Sequence, residues 1–312
     1  MRALFAAFTL VFLAAGPGAA QEAAPDAPLI RPEKLKQVAP SVWIIPDESR
    51  PMVPNVGFVV GQTGILVVDT GMGDENGAIV AGVARKLAPN LRIYLVTTHV
   101  HPEHDLGANG FPRGARMLDG STLLRSTTQE QDIAEFGCSV CKAFSDRSPA
   151  AAALLKGAAY RDADINFEND RTIDLGGVRA YIFAAGPNHT RGDTAIWVET
   201  EQVLFSGDIA MKLQPALGSP YSSVGHWLST LESLVQLRPR TIVPSHGPTG
   251  GPELIAGYKS YFTEIMERAA TEKKSGKTAE EAVAAIAGVM AERYPDKNRL
   301  AGAVRAAYKE VP

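Results

Sequence analysis

Hydrophobic and polar residues fall along this chain in short alternating blocks. Residues 42–45, 56–60 and 65–68 are apolar runs of strand length, and the last two flank Gly61-Gln62-Thr63-Gly64, which predicts a hairpin. Asp69-Thr70-Gly71 then turns out of the sheet. From 75 to 88 the residues Ile79, Val80, Val83 and Leu87 recur at helical spacing and stop at Pro89-Asn90. Residues 93–96 are a continuous apolar run, short enough for a buried strand. The stretch 121–155, rich in Ala, Gln and Glu, reads as helix and surface loop. A second strand series follows at 165–167, 171–175, 178–183, 194–198 and 203–205, then an amphipathic helix over 226–237 and a last strand at 241–244. From Pro252 onward the pattern is helical, broken near Ser275-Gly276 and Pro295. Two strand series, each closed by a helix and a final strand, predict two sheets packed face to face with helices outside.

Composition narrows the function classes. The chain has 312 residues, 45% hydrophobic and 21% charged, enough to bury a sizeable core as one large domain or two small ones. Its 31 basic and 34 acidic residues are spread evenly and leave a net charge of −3, so no field exists to hold nucleic acid. The first residues look like an export signal. Arg2 opens an apolar run over 3–15, Gly16-Pro17-Gly18 breaks it, and Gly18-Ala19-Ala20 offers small residues for cleavage. That run is too short to span a bilayer, and no Cys follows the cut to take a lipid anchor. The expected organisation is a signal peptide at 1–20, an extended Ala/Pro-rich tether at 21–40, a main domain at 41–265 and a helical extension at 266–312. Two cysteines, Cys138 and Cys141, are too few for a disulfide scaffold. In an oxidising compartment the pair reads as a local staple or as a redox centre, and two sulfurs alone make no zinc site.

The chemistry concentrates in the histidines. Of six in the chain, three stand in the block His99-Val100-His101-Pro102-Glu103-His104, directly after a predicted buried strand. His189 and His246 also follow predicted strands, and Phe205-Ser206-Gly207-Asp208 puts a carboxylate at a third strand exit. Imidazole nitrogen suits zinc and its transition-series neighbours, and carboxylates add harder oxygen donors. Five histidines and two acids delivered to strand ends are the donor supply a two-metal site requires, with an opening left for water and substrate.

These motifs resemble those of the metallo-β-lactamase superfamily. The family's H-x-H-x-D-H is matched by His99-x-His101-x-Glu103-His104. GPNHTRGDT, FSGDIAM and VPSHGP match three later motifs, and Leu66 to Gly71 match the early strand and turn. The resemblance runs from about 42 to 248. It implies an α/β fold, a four-layer αββα sandwich of two mixed β-sheets, and two zinc ions. By position, His99, His101 and His189 would hold the first metal and Glu103, His104 and His246 the second. Asp208 would bridge them, and Asp69 would fix a ligand's orientation. Glu103 departs from the family's usual Asp by one methylene, which implies a second ion bound more weakly, displaced, or of another kind.

The implied reaction is hydrolysis, with Glu103 and Asp208 as the catalytic carboxylates. Divalent metal lowers the pKa of bound water from about 15.7 to roughly 7, and the resulting hydroxide attacks an ester, thioester or lactam-type carbonyl. No G-x-S-x-G nucleophile motif occurs. His101 stands where the family's iron redox branch usually has Glu, which favours hydrolysis. A β-lactamase proper is an alternative: Lys212 would meet a substrate carboxylate, or else be plain surface. His226 and Trp227 would line the cleft, or Trp227 would pack its helix. The THVHPEHDLGANGF block and the helical tail over 258–282 are similar to those of exported zinc hydrolases found alongside periplasmic quinoprotein dehydrogenases. That resemblance implies a periplasmic location, a small-molecule substrate and a quinoprotein partner. The competing reading is a non-catalytic metal-binding accessory of such a redox system, against which the intact Asp208 and five histidines count.

Overall fold

The computed structural model describes residues 27–113 and 120–312, so the predicted signal peptide and the start of the tether lie outside the described residues. Strands β1 (Lys36–Ala39), β2 (Val42–Ile45), β3 (Val56–Val60), β4 (Gly64–Val68), β5 (Arg92–Val96), β6 (Ser121–Ser126) and β7 (Ile165–Phe167) form a seven-stranded sheet in chain order. A five-stranded sheet has the order β12 (Thr241–Pro244), β11 (Val203–Gly207), β10 (Thr194–Val198), β9 (Arg179–Ala184) and β8 (Arg171–Asp174). Both are mixed: β1 to β4 pair antiparallel and β4 to β7 parallel, while β11 and β12 form the parallel pair of the second sheet. The predicted hairpin is present, with Val60 opposite Ile65 and the Gly61 amide donating to the Gly64 carbonyl at 2.9 Å.

Period-two alternation sorts each strand between two cores. Leu66, Val68 and Val96 face inward and meet Ile182, Ile196, Phe205 and Val243 of the other sheet. Their neighbours Ile65, Val67 and Leu95 face outward onto Val80 and Ala84 of α1 (Gly73–Leu87). On the far side, Trp197, Leu204 and Ile242 face α5 (Val224–Gln236), α6 (Glu253–Lys274), α7 (Ala279–Met290) and α8 (Lys297–Glu310). This is the expected αββα arrangement. Each fully buried Val, Leu, Ile or Phe contributes about 1.5–3 kcal/mol, so all three layers stabilise the fold, the largest being that between the five-stranded sheet and its helices. The sheets close tightly at Gly57, where a Cβ would sit 2.2 Å from the Phe205 ring.

Three details differ from the pattern-based expectation. Lys36–Ala39, placed in the tether by composition, pairs with β2 as an edge strand. Its alternation is too weak to read, because its four residues are all exposed or half-buried. Ser121–Ser126, read as helical, is a strand between β5 and β7. Its centre carries a buried charge, Arg125, which hides the apolar run. The stretch after it is helical as predicted, in α3 (Thr127–Ser145) and α4 (Pro149–Leu155). Finally, a boundary at 265 falls inside α6, and Ile286, Leu300 and Val304 join the same core as Trp197, so the C-terminal helices are the outer layer of the sandwich. Among the described residues no helix is long and apolar enough to cross a membrane.

Candidate metal centre

Parallel pairing of β4 with β5 and of β11 with β12 sends the C-terminal end of each pair in one direction. Asp69 follows β4, His99 follows β5, Asp208 follows β11 and His246 follows β12. His189 arrives on the turn after β9, and α2 (Pro102–Asp105) carries Glu103 and His104. Potential ligand atoms gather in three groups, each within 4.8 Å: His99, His101 and His189; His99, His104 and Asp208; Glu103, His104 and His246. All seven sequence-predicted ligands are therefore in one place. His101 and His246 are half-buried, and the rest are buried.

In the first group His101 Nδ1 lies 3.0 Å from His99 Nε2 and 3.2 Å from His189 Nε2. In the last, His104 Nε2 and His246 Nε2 stand 3.8 and 3.9 Å from Glu103 Oε1. Asp208 Oδ2 is 3.5 Å from His189 Nε2. The other ring nitrogen of four of these histidines has an oxygen neighbour. His99 Nδ1 meets Thr98 Oγ1 at 3.1 Å, His104 Nδ1 meets Asp69 Oδ2 at 2.8 Å, His189 Nδ1 meets the Ala216 carbonyl at 2.6 Å, and His246 Nδ1 meets the Val53 carbonyl at 3.1 Å. Such partners fix ring orientation and direct Nε2 at the common centre. Asp69 thus orients a ligand, as expected, from a left-handed backbone conformation with φ of 64° that Asp tolerates.

The supports beneath these ligands were invisible to motif reading. Asp105, next to His104, accepts from Arg125 Nη2 at 2.8 Å, Thr97 Oγ1 at 2.7 Å and Gln129 Nε2 at 3.0 Å, all fully buried. Removing one partner of such a pair leaves an uncompensated charge and costs about 3–5 kcal/mol. Asp193, pushed up to about 6 by burial, accepts from Thr190 Oγ1 at 2.7 Å and closes the turn that carries His189. The loop after Asp208 lies over the centre. Its Gly218 amide donates to the His189 carbonyl at 2.7 Å, and a Cβ at 218 would come within 2.6 Å of the His189 ring and 2.9 Å of His101.

Burial, reinforced by neighbouring imidazoles, holds His99 and His101 well below the usual histidine range, so both are neutral with lone pairs available. Burial also opposes charge on His104, but the Asp69 carboxylate outweighs it and lifts that ring to about 9. Asp208 shows the converse: burial disfavours its anion, yet His189, His246, His104 and His101 bring it down to about 2.

A direct test of fit comes from unpaired atoms. Glu103 Oε2, His104 Nε2 and Asp208 Oδ1 are buried without a hydrogen-bond partner. Each such group costs about 1–3 kcal/mol when left unsatisfied, and all three belong to the predicted ligand set. Cations at this centre would satisfy them together, and the mixture of imidazole and carboxylate suits zinc.

A cleft of about 800 Å³ opens beside the ligands, with Met52, Val140, Phe144, Leu213 and Leu217 among its apolar lining and Arg50, Arg147 and Arg299 as its cations. Lys212 lines a neighbouring cavity instead. His226 is exposed, with Nε2 3.1 Å from the Ala185 carbonyl. Trp227 is core: it packs on Phe262 at 4.7 Å and donates to the Ile209 carbonyl. Cys138 is exposed, Cys141 half-buried, and both are free thiols.

Known proteins are similar to this chain in sequence and in backbone. The acyl-coenzyme A thioesterase MBLAC2 of Bos taurus is 26% identical over 216 residues, covering 64% of this chain and 75% of that protein. The type 2 metallo-beta-lactamase of Bacteroides fragilis is 30% identical over 105 residues, 32% of this chain and 42% of that one. In backbone the chain is similar to the stereoselective inverting sec-alkylsulfatase Pisa1 from Pseudomonas sp., with a TM-score of 0.68 at 16% identity. That match covers 88% of this chain, which spans only half the length of the sulfatase. The metallo-beta-lactamase superfamily model matches residues 49–246, a stretch that contains every candidate ligand from His99 to His246, and this chain belongs to that superfamily.

Proposed function

We propose that this chain is an exported hydrolase that cleaves an ester, thioester or lactam-type carbonyl with two divalent cations, zinc by donor type. The observation that carries the reading is the set of three orphaned ligand atoms, Glu103 Oε2, His104 Nε2 and Asp208 Oδ1, buried around one centre at the floor of an open cleft. When bound, a divalent pair supplies acidification of water and polarisation of the scissile carbonyl. The chain's own residues do the rest. Asp208, brought down to about 2, stays ionised through the working pH range and offers both oxygens to the centre. Glu103 turns Oε1 toward His104 and His246 and leaves Oε2 without a partner in the chain, so with one oxygen held by a cation the other would accept a proton from the attacking water. His104, held by Asp69, keeps one ring face aligned while its Nε2 serves the centre. The apolar wall of Met52, Val140, Leu213 and Leu217 receives the hydrocarbon part of a substrate and excludes water from it.

Thioesters are the first class to test, because the thioesterase relative aligns over twice the share of this chain that the lactamase does. Export rests on residues 1–20 and predicts a mature chain beginning near Gln21 in the periplasmic fraction, read by intact mass. The function itself is tested by loading the purified protein with zinc and assaying thioesters, lactones and β-lactams in parallel. Turnover that a chelator removes and zinc restores is expected. Absence of turnover across all three classes, with two zinc ions present by elemental analysis, would sink the proposal.

A further inference from the structure

Three guanidinium groups line the metal cleft, and their surroundings differ. Arg50 donates to the backbone carbonyls of Leu29 and Ala27. Arg299 donates to the Gln214 carbonyl and lies 3.2 Å from the Asp296 carboxylate. Arg147 makes no side-chain hydrogen bond or ion pair among the described residues. It sits just past the C-terminus of α3 and lays its guanidinium over the Phe144 ring, 3.6 Å from the centroid. The Phe144 ring in turn lies 5.6 Å from the ring of His101. Stacking of this kind holds the plane of a guanidinium while leaving its N–H fork free for an oxyanion.

The acids of the cleft do not compete for that fork. Glu103 and Asp208 belong to the metal centre, and Asp47 accepts from the Gly247 amide at 2.8 Å. Arg147 is therefore a cation fixed one aromatic ring away from a metal-ligand imidazole, at a solvent-accessible position, with no internal counter-ion.

We propose that Arg147 is a specificity-determining residue, whose guanidinium receives an oxyanion, carboxylate or sulfonate, carried by the substrate away from the scissile bond. The proposal rests on the metal-hydrolase reading and adds to it a substrate class: molecules with an apolar body and an anionic end. A neutral substrate would bind through the centre and the apolar wall alone. A charge-assisted contact at this partly solvated site is worth about tenfold in affinity.

The test uses the full chain loaded with cobalt(II), whose visible spectrum reports thiol binding without any turnover. Probes are the ω-mercapto acids from 3-mercaptopropionate to 6-mercaptohexanoate, each against its methyl ester, shown intact by mass after the titration, with 2-mercaptoethanesulfonate to separate sulfonate from carboxylate recognition. At the chain length that spans the distance, the acid should bind about tenfold more tightly than the ester, and added salt should shrink the difference. Arg147→Ala should bring acid and ester to within about twofold while leaving ester affinity unchanged, which also shows fold and metal intact. Arg147→Lys should restore part of the preference. An acid-to-ester ratio equal in wild type and Arg147→Ala, or a preference lost only in Arg299→Ala, would overturn the assignment. A protein that takes up no cobalt would instead overturn the metal-centre reading beneath it.

Discussion

The two ends of the candidate metal centre differ in donors and in spacing: three imidazoles stand at one end, a carboxylate and two imidazoles at the other. Tetrahedral zinc with bonds of about 2.05 Å places neighbouring donor atoms about 3.3 Å apart. The His99, His101 and His189 nitrogens, 3.0 and 3.2 Å apart, already stand near that spacing. Glu103, His104 and His246, at 3.8 and 3.9 Å, stand wider than it. Protonation differs as well. His99 and His101 are held neutral by burial and by neighbouring imidazoles, whereas the Asp69 carboxylate overcomes burial and keeps His104 protonated to about 9. One end is preorganised for a cation, and the other must close up and release a proton to accept one. On the two-cation reading proposed above, the first position is the tight one and the second is conditional, the direction expected of the longer acid at 103.

The most damaging change to this contrast is His101→Ala, which removes the atom shared by both close contacts of the tight end. It should lower turnover by more than about 100-fold and leave fewer than two zinc ions per chain by elemental analysis. Asp69→Asn is next. It keeps a hydrogen-bonding side chain but removes the charge that holds His104, and should cost the conditional position about 10–100-fold in affinity while sparing the tight one. Stepwise chelator competition distinguishes the two positions.

The pH dependence follows with a fixed sign. Below about 9 the metal-free His104 carries a proton that the cation must displace, so affinity at the conditional position should rise with pH, by at most about tenfold per unit, and level off above about 9. Calorimetry in buffers of different ionisation heat should show close to one proton released at pH 7.5. No release, or equal release at both positions, would erase the distinction. The smallest effect is expected from Glu103→Asp. Shortening the acid should tighten the conditional position by less than about tenfold, with both ions retained in elemental analysis.

How legible this was depended on whether the signal was local. Each ligand lies within a few residues of a strand end, so apolar run plus histidine sufficed to find it. The packing that brings those strand ends together is long-range, yet the period-two pattern constrained it to two facing sheets. Residues whose role comes only from tertiary placement were missed. Arg147 reads as an ordinary helix-end cation until Phe144 and His101 are seen beside it. Arg125 disguised β6 because a buried arginine looks like surface unless its partner, Asp105, is known. Lys212 is close to Asp208 along the chain, but the loop carries it into the neighbouring cavity. The edge strand Lys36–Ala39 is too polar to be recognised without β2.

The loop that carries Gly218 also has an anchor far from the histidines. Gln214 Nε2 donates to the Asp296 carbonyl, its Oε1 accepts from the Asp296 amide, and Arg299 donates to the Gln214 carbonyl. Two residues further on, the Ala216 carbonyl holds His189. At the far end of α8, Glu310 receives the Val224 and Gly225 amides and so tethers the helix that follows the loop. Helix α8 thus works as a guy rope on the His189 imidazole. Nicking within α8 would be felt as slack around that imidazole rather than as the loss of a dispensable tail.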